Sequence, residues 1–112
     1  MKRPSHDLPS YVVARVRKLL RDRGLPVHVL RTEVDARGHR WRVAEEGYEV
    51  STVGVSNYVA VCYEGARLRE TTRPVSRETK VAKEAEVRAL LTGLGYTLDE
   101  RGWIVCERNH LG

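Results

Sequence analysis

Four histidines, two cysteines and a large excess of arginine are the residues of this 112-residue chain with chemistry to offer. Histidine acts as a metal ligand or a general acid–base. However, His6, His28, His39 and His110 stand too far apart for a metal site, which needs two or more ligands at short spacing, usually with cysteine. Cys62 and Cys106 lie far apart in Val-rich segments with strand character and form no Cys-x-x-Cys pair, so reduced, partly buried thiols are expected. Glu45 and Glu46 are adjacent. In a strand they point to opposite faces and make no acid pair. There is no Gly-rich phosphate loop, no Gly-x-Ser-x-Gly elbow and no zinc spacing. The sequence therefore predicts no cofactor, no metal and no catalytic constellation.

Charge is the stronger signal. The chain has sixteen Arg, four Lys and no Gln, with a net charge of +5. Such an arginine bias is what a GC-rich bacterial or phage genome produces. The charge is uneven: residues 1–42 hold eleven Lys/Arg against four Asp/Glu, and residues 43–66 hold four Glu and no Lys or Arg. A field of this kind attracts phosphate backbones or acidic proteins. Arg15, Arg17, Lys18 and Arg21, then Arg31, Arg40 and Arg42, then Lys80 and Lys83, are the predicted nucleic-acid-binding residues. Arginine suits this role because its planar fork grips phosphate with two parallel hydrogen bonds.

The elements that must position these groups follow from periodicity. Residues 1–9 hold two Pro and read as a flexible lead, residues 10–109 as one α+β domain, and residues 110–112 as a tail. Ser10 is the expected N-cap of a basic helix with Val12, Val13, Val16, Leu19 and Leu20 at helical spacing, stopped by Gly24 and Pro26. Residues 27–34 and 39–44 read as a hairpin around Asp35-Ala36-Arg37-Gly38. With those four residues as the whole loop, Val34 faces His39 and Thr32 faces Trp41. His28, Leu30, Val34, His39, Trp41 and Val43 then form a core face, and Arg31, Glu33, Arg40 and Arg42 a solvent face with Glu33 opposite Arg40. Strands follow over 48–55 and 58–63, the latter apolar on both faces and so expected to be central and doubly covered. Residues 64–75 read as an exposed loop. Ser76 is the expected cap of a second helix carrying Val81, Ala82, Ala85, Val87, Leu90, Leu91 and Leu94 on its apolar side, and a short hairpin around Asp99-Glu100-Arg101-Gly102 ends the domain.

The order Val-Arg-x-Leu-Leu, Gly, strand, Asp-x-Arg-Gly, strand with Trp occurs twice, from Val16 to Trp41 and from Val87 to Trp103. It reads either as a duplicated helix–hairpin unit or as two independent uses of the same stop and turn chemistry. Both readings predict α+β architecture: two helices on an antiparallel sheet of five to six strands, in the order α-β-β-β-β-α-β-β.

Two short stretches resemble known families. A helix ending in Leu-Leu and Gly, a strand, and Gly38-His39 resemble HicA-type ribonuclease toxins. That resemblance implies His39 as a general acid or base in RNA cleavage, although the Ser of the family's Gly-Ser-His motif is missing here. Thr79-Lys80-Val81-Ala82-Lys83 is similar to the Lys-Lys-x-Ala-Lys start of the last helix in double-stranded-RNA-binding domains. It implies phosphate contacts for Lys80 and Lys83, with Thr replacing the first Lys. The leading expectation is a small, non-enzymatic, basic accessory protein binding DNA or RNA through an arginine-rich face. The alternatives are a module that binds a host protein and a small ribonuclease using His39. No apolar run reaches membrane-spanning length and no signal peptide is read, so a cytoplasmic location is expected, with a homodimer through an edge strand open.

Overall fold

The structure is a computed structural model and describes residues 8–106. The expectations for His6, His110, Glu107, the tail and all but the last two residues of the lead lie outside this range. The elements run α1 (Pro9–Asp22), β1 (Arg31–Val34), β2 (Arg40–Val43), β3 (Gly47–Thr52), β4 (Tyr58–Glu64), β5 (Ala66–Arg67), β6 (Thr72–Arg73), α2 (Arg77–Gly93) and β7 (Ile104–Val105). This is α+β, as the sequence predicts. The strands divide among a central sheet, β3-β4-β7, and two hairpins, β1-β2 and β5-β6, all antiparallel.

Helix α1 starts at Pro9 with Leu8 as its N-cap and no side-chain cap bond, so Ser10 sits inside the first turn. Proline fits there because the first turn has no intrahelical use for its missing N–H. Ser76 caps α2 as expected, its Oγ accepting the Thr79 N–H at 3.1 Å. Both helices end alike. Leu25 N–H donates to Leu20 O at 2.9 Å and Tyr96 N–H to Leu91 O at 3.0 Å, around Gly24 and Gly95 at positive φ.

Val12, Val16 and Leu20 of α1 and Val87 and Leu91 of α2 are buried against Tyr48, Val50, Val59, Val61 and Tyr63. All five strand residues share one face of the central sheet, since Tyr48 pairs Tyr63 and Val50 pairs Val61. Both helices therefore cover the same side, and the other side, bearing Glu49, Ala60 and Cys62, is half-buried. The expectation of a strand covered on both faces is corrected here: β4 is central in its sheet, but helices pack on one face only. Val81, expected on the core side of α2, is 59% exposed.

The sheet's edges are closed by other groups. Tyr48 N–H donates to Pro26 O and His28 N–H to Tyr48 O, at 3.0 and 2.8 Å, and Arg17 donates to Val50 O at 3.1 Å. On the far side of β4, α2 supplies side chains in place of a strand. Glu84 Oε2 accepts the Tyr63 N–H at 2.9 Å, and Lys80 Nζ donates to Tyr63 O at 3.0 Å.

The first hairpin differs from expectation in extent and register. Residues 26–28 bond to β3, and only Arg31–Val34 pairs with β2, so the expected eight-residue strand changes partner midway. Asp35 N–H donates to His39 O at 3.0 Å, which makes these two residues the last pair and shortens the loop to three residues, with Gly38 at φ +84°. Val34 consequently faces Arg40, Glu33 faces Trp41 and Thr32 faces Arg42. Val34 is 56% exposed and Leu30 is also exposed, while Val43 and His28 are buried. The predicted core face is thus broken up, and Glu33 does not oppose Arg40.

The stretch 64–75, expected as a loop, contains the β5–β6 hairpin. Ala44 and Arg67 exchange both backbone hydrogen bonds, at 2.9 and 2.8 Å, and place β5 on the side of β2 opposite β1. Gly65 permits the fold-back: a Cβ there would run into the Arg73 carbonyl oxygen. Among the described residues no helix is long and apolar enough to cross a membrane.

Two outcomes follow for stability. Gly65→Ala should destabilise by about 1–3 kcal/mol through overpacking against backbone, read by urea unfolding. Burial first, and the 2.6 Å hydrogen bond to Glu46 second, push the Tyr63 hydroxyl up to about 12. A raised pKa favours the folded state fully below the unfolded value near 10, and that advantage is lost as pH rises towards 12. The expected loss is about 2–3 kcal/mol over that window. Tyr63→Phe should flatten this part of the pH–stability curve while costing about 1 kcal/mol at neutral pH.

Candidate nucleic-acid interface

The candidate site is assembled from the two hairpins. Asp35 organises the first. Its Oδ1 accepts the Arg37 and His39 N–H groups, each at 2.9 Å, and its Oδ2 accepts the Trp41 indole N–H at 3.2 Å. The indole hydrogen bond is the leading cause that holds the Asp35 carboxyl below its usual range. Burial opposes it, and the two backbone donors add to it. One carboxylate therefore fixes both the turn and the orientation of the half-buried Trp41. His39 lies edge-on to that ring, with centroids 5.9 Å apart.

Among the described residues, three grooves that border β5 differ in charge. One, of about 440 Å³, is lined by Arg31, Arg67 and Arg69 but also by Glu33, Glu45 and Glu46. The ion pairs match this balance. Arg31 bonds Glu33 at 3.3 Å and Glu45 at 3.0 Å, and Arg69 bonds Glu33 at 2.9 Å. The Arg69 hydrogen bond is the main cause of the lowered Glu33 pKa. A second groove, of about 470 Å³, is lined by His28, Glu49 and Glu64 with Arg67 and Arg73. The His28 Nδ1 lies 2.8 Å from the Glu45 carbonyl oxygen, an acceptor only, so this nitrogen carries the proton.

The third groove, of about 460 Å³, runs between the outer edge of β2 and the β5–β6 turn. Arg40, Arg42, Arg67 and Arg69 line it with Trp41, Leu68 and two threonines, against the single carboxylate of Glu70. Among the described residues Arg40, Arg42 and Arg67 form no ion pair. This is the one of the three grooves whose lining has a large positive excess.

The predicted site residues divide accordingly. Arg40 and Arg42 meet in the basic groove. Arg31 is held by two glutamates. Arg15, Arg17, Lys18 and Arg21 stand on α1, which packs on β3 and β4 and contributes nothing to the groove lining. Arg17 is anchored on Val50 and Lys18 pairs Asp22 at 2.9 Å. Lys80 bonds Tyr63 O, Glu64 and Glu84. Lys83 lies over the Tyr63 ring at 5.8 Å. Sequence reasoning missed Arg67 and Arg69 as site residues. The alternation Ala66-Arg67-Leu68-Arg69 before Glu70-Thr71 was the available signal, a period of two leading into a turn.

His39 is 70% exposed on its side chain, and its Nδ1 is 3.9 Å from Asp35 Oδ2, beyond hydrogen-bond length. Among the described residues no three His, Cys, Asp or Glu are grouped to hold a metal. Cys62 and Cys106 are not joined by a disulfide, and burial first pushes the Cys62 thiol up.

The second turn repeats the first with another outcome for its tryptophan. Asp99 Oδ1 accepts the Arg101 and Trp103 N–H groups at 2.9 and 3.0 Å, and Gly102 has φ +84°. Here the other carboxylate oxygen holds the Arg101 guanidinium at 2.6 Å, and that guanidinium stacks on Trp103 at 3.8 Å. Compared with protein families, curated proteins and solved structures, the chain matches no family model, no curated protein and no solved structure.

Proposed function

We propose that this protein binds nucleic acid, with phosphates seated on Arg40, Arg42 and Arg67 in the groove between its two hairpins. The observation that carries the reading is a contrast among the arginines of these hairpins. Arg31 and Arg69 are paired with glutamates, whereas Arg40, Arg42 and Arg67 line this groove with no carboxylate partner among the described residues. A guanidinium fork without a carboxylate partner matches phosphate geometry. Both elements that carry the cluster are fixed by backbone hydrogen bonds, so less order has to be imposed on binding.

The test is a titration of labelled DNA and RNA at several salt concentrations. Neutralised phosphates release counterions, so log affinity should fall linearly with log salt, by about 0.9 per phosphate on duplex and about 0.7 on a single strand. Arg42→Ala should weaken binding at all sequences and lower the slope by about one phosphate contact. Arg31→Ala, which removes a residue already paired with Glu33 and Glu45, should change the slope little. Absence of binding to any nucleic acid at low salt would overturn the reading.

A further inference from the structure

We infer that two copies of this chain pair through the outer edge of β1, antiparallel about Thr32, so that their β1–β2 hairpins join in one sheet. The edge is open. Asp35 N–H donates to His39 O, and in an antiparallel ladder the residues that bond across alternate with residues that turn outward. Arg31 and Glu33 therefore bond inward to β2, and Thr32 and Val34 turn their N–H and C=O away from it. β2 shows the same alternation: Ala44, next to the inward-bonded Val43, turns away from β1 and exchanges both hydrogen bonds with Arg67. Among the described residues nothing bonds the outward groups of Thr32 and Val34. The central sheet differs, because its outer backbone groups are taken at Tyr48, Val50 and Tyr63.

The residues of this edge select a second copy as the occupant. A guarded edge carries proline, a bulge or lysine, and β1, Arg31–Val34, has none of these. A twofold axis makes the same strand face itself. An axis between two residues sets outward groups against inward ones and forfeits the hydrogen bonds. An axis through Arg31 or Glu33 sets like charges directly opposite, and one through Val34 sets Glu33 against Asp35. An axis through Thr32 places Arg31 of each copy opposite Glu33 of the other. One residue beyond the strand, it brings the exposed Leu30 against the exposed Val34. Charge and apolar surface are both self-complementary in that register alone. The joint uses the backbone edge of β1, so the groove on the far side of β2 stays open, and this inference does not rest on the nucleic-acid reading.

The experiment is sedimentation equilibrium of the full chain at low salt. It runs from about 10 μM to about 1 mM, because a joint of short strands falls below a standard interface and gives a weak dimer. The expected result is a dimer that grows with concentration. Thr32→Pro removes an N–H that the dimer uses and the monomer does not, and an edge strand tolerates proline, so association should weaken at least about tenfold. Arg31→Glu and Glu33→Arg test the register. Each variant alone sets like charges opposite each other twice and should associate more weakly than the unaltered chain. An equimolar mixture of the two sets opposite charges at both positions and should regain association as a mixed dimer. Circular dichroism of each variant checks that the fold is retained. A monomer at every concentration, a dimer unaffected by Thr32→Pro, or no gain in the mixture overturns the inference. The nucleic-acid reading is judged separately by the salt titration.

Discussion

Two backbone hydrogen bonds between Ala44 and Arg67 are the constraint on which the candidate site depends. Neither hairpin has a stable existence alone: four-residue strands form the first and two-residue strands the second, and isolated two-stranded ribbons are marginal in water. Joined edge to edge, they bring arginines from residues 40–42 and 67–69 into one cleft. The positive field there is a matter of placement more than of number. The chain has arginines elsewhere, and several of them are matched by glutamates that the same two hairpins bring near. Arg67 and Arg69 line both the balanced groove and the basic one; Arg69 is paired with Glu33, and Arg67 has no ion pair among the described residues.

What could be read from the sequence was local. The stops at Gly24 and Gly95, the Ser76 cap and both Asp-Gly turns follow from chemistry within four residues, and each is present. Partner choice could not be read. Residues 27–34 are continuously strand-like, and nothing in their pattern says that Pro26 to His28 bond β3 while Arg31–Val34 bonds β2. The register error has the same origin. A glycine at the fourth turn position suits loops of three or four residues, and only the Asp35–His39 pair decides between them. Two-residue strands such as β5 and β6 are shorter than any periodicity can register.

The site divided along the same line. Arg40 and Arg42 were visible because they alternate on a strand, and Arg67 was not, because it lay in what reads as loop. Lys80 was drawn towards phosphate by a family likeness. Its (i, i+4) spacing to Glu84 already hinted at an internal partner, and Glu64 completes the pairing from β4. The echo between the two halves is real in geometry, turn for turn, yet the strands that follow serve different sheets. Shared turn chemistry accounts for the likeness at the turns. Duplication is not needed to explain it.

The closure of the β4 edge by Glu84 and Lys80 has a consequence for the behaviour of the protein in crowded solution. An open row of N–H and C=O groups is a template on which foreign strands polymerise. Here a carboxylate and an ammonium occupy the two backbone groups of Tyr63. An incoming strand would have to displace both charged groups, which are also held to each other and, for Lys80, to Glu64. Fibril growth from this edge is thereby opposed by desolvation as well as by sterics, and the residues that oppose it belong to a helix that forms by local interactions.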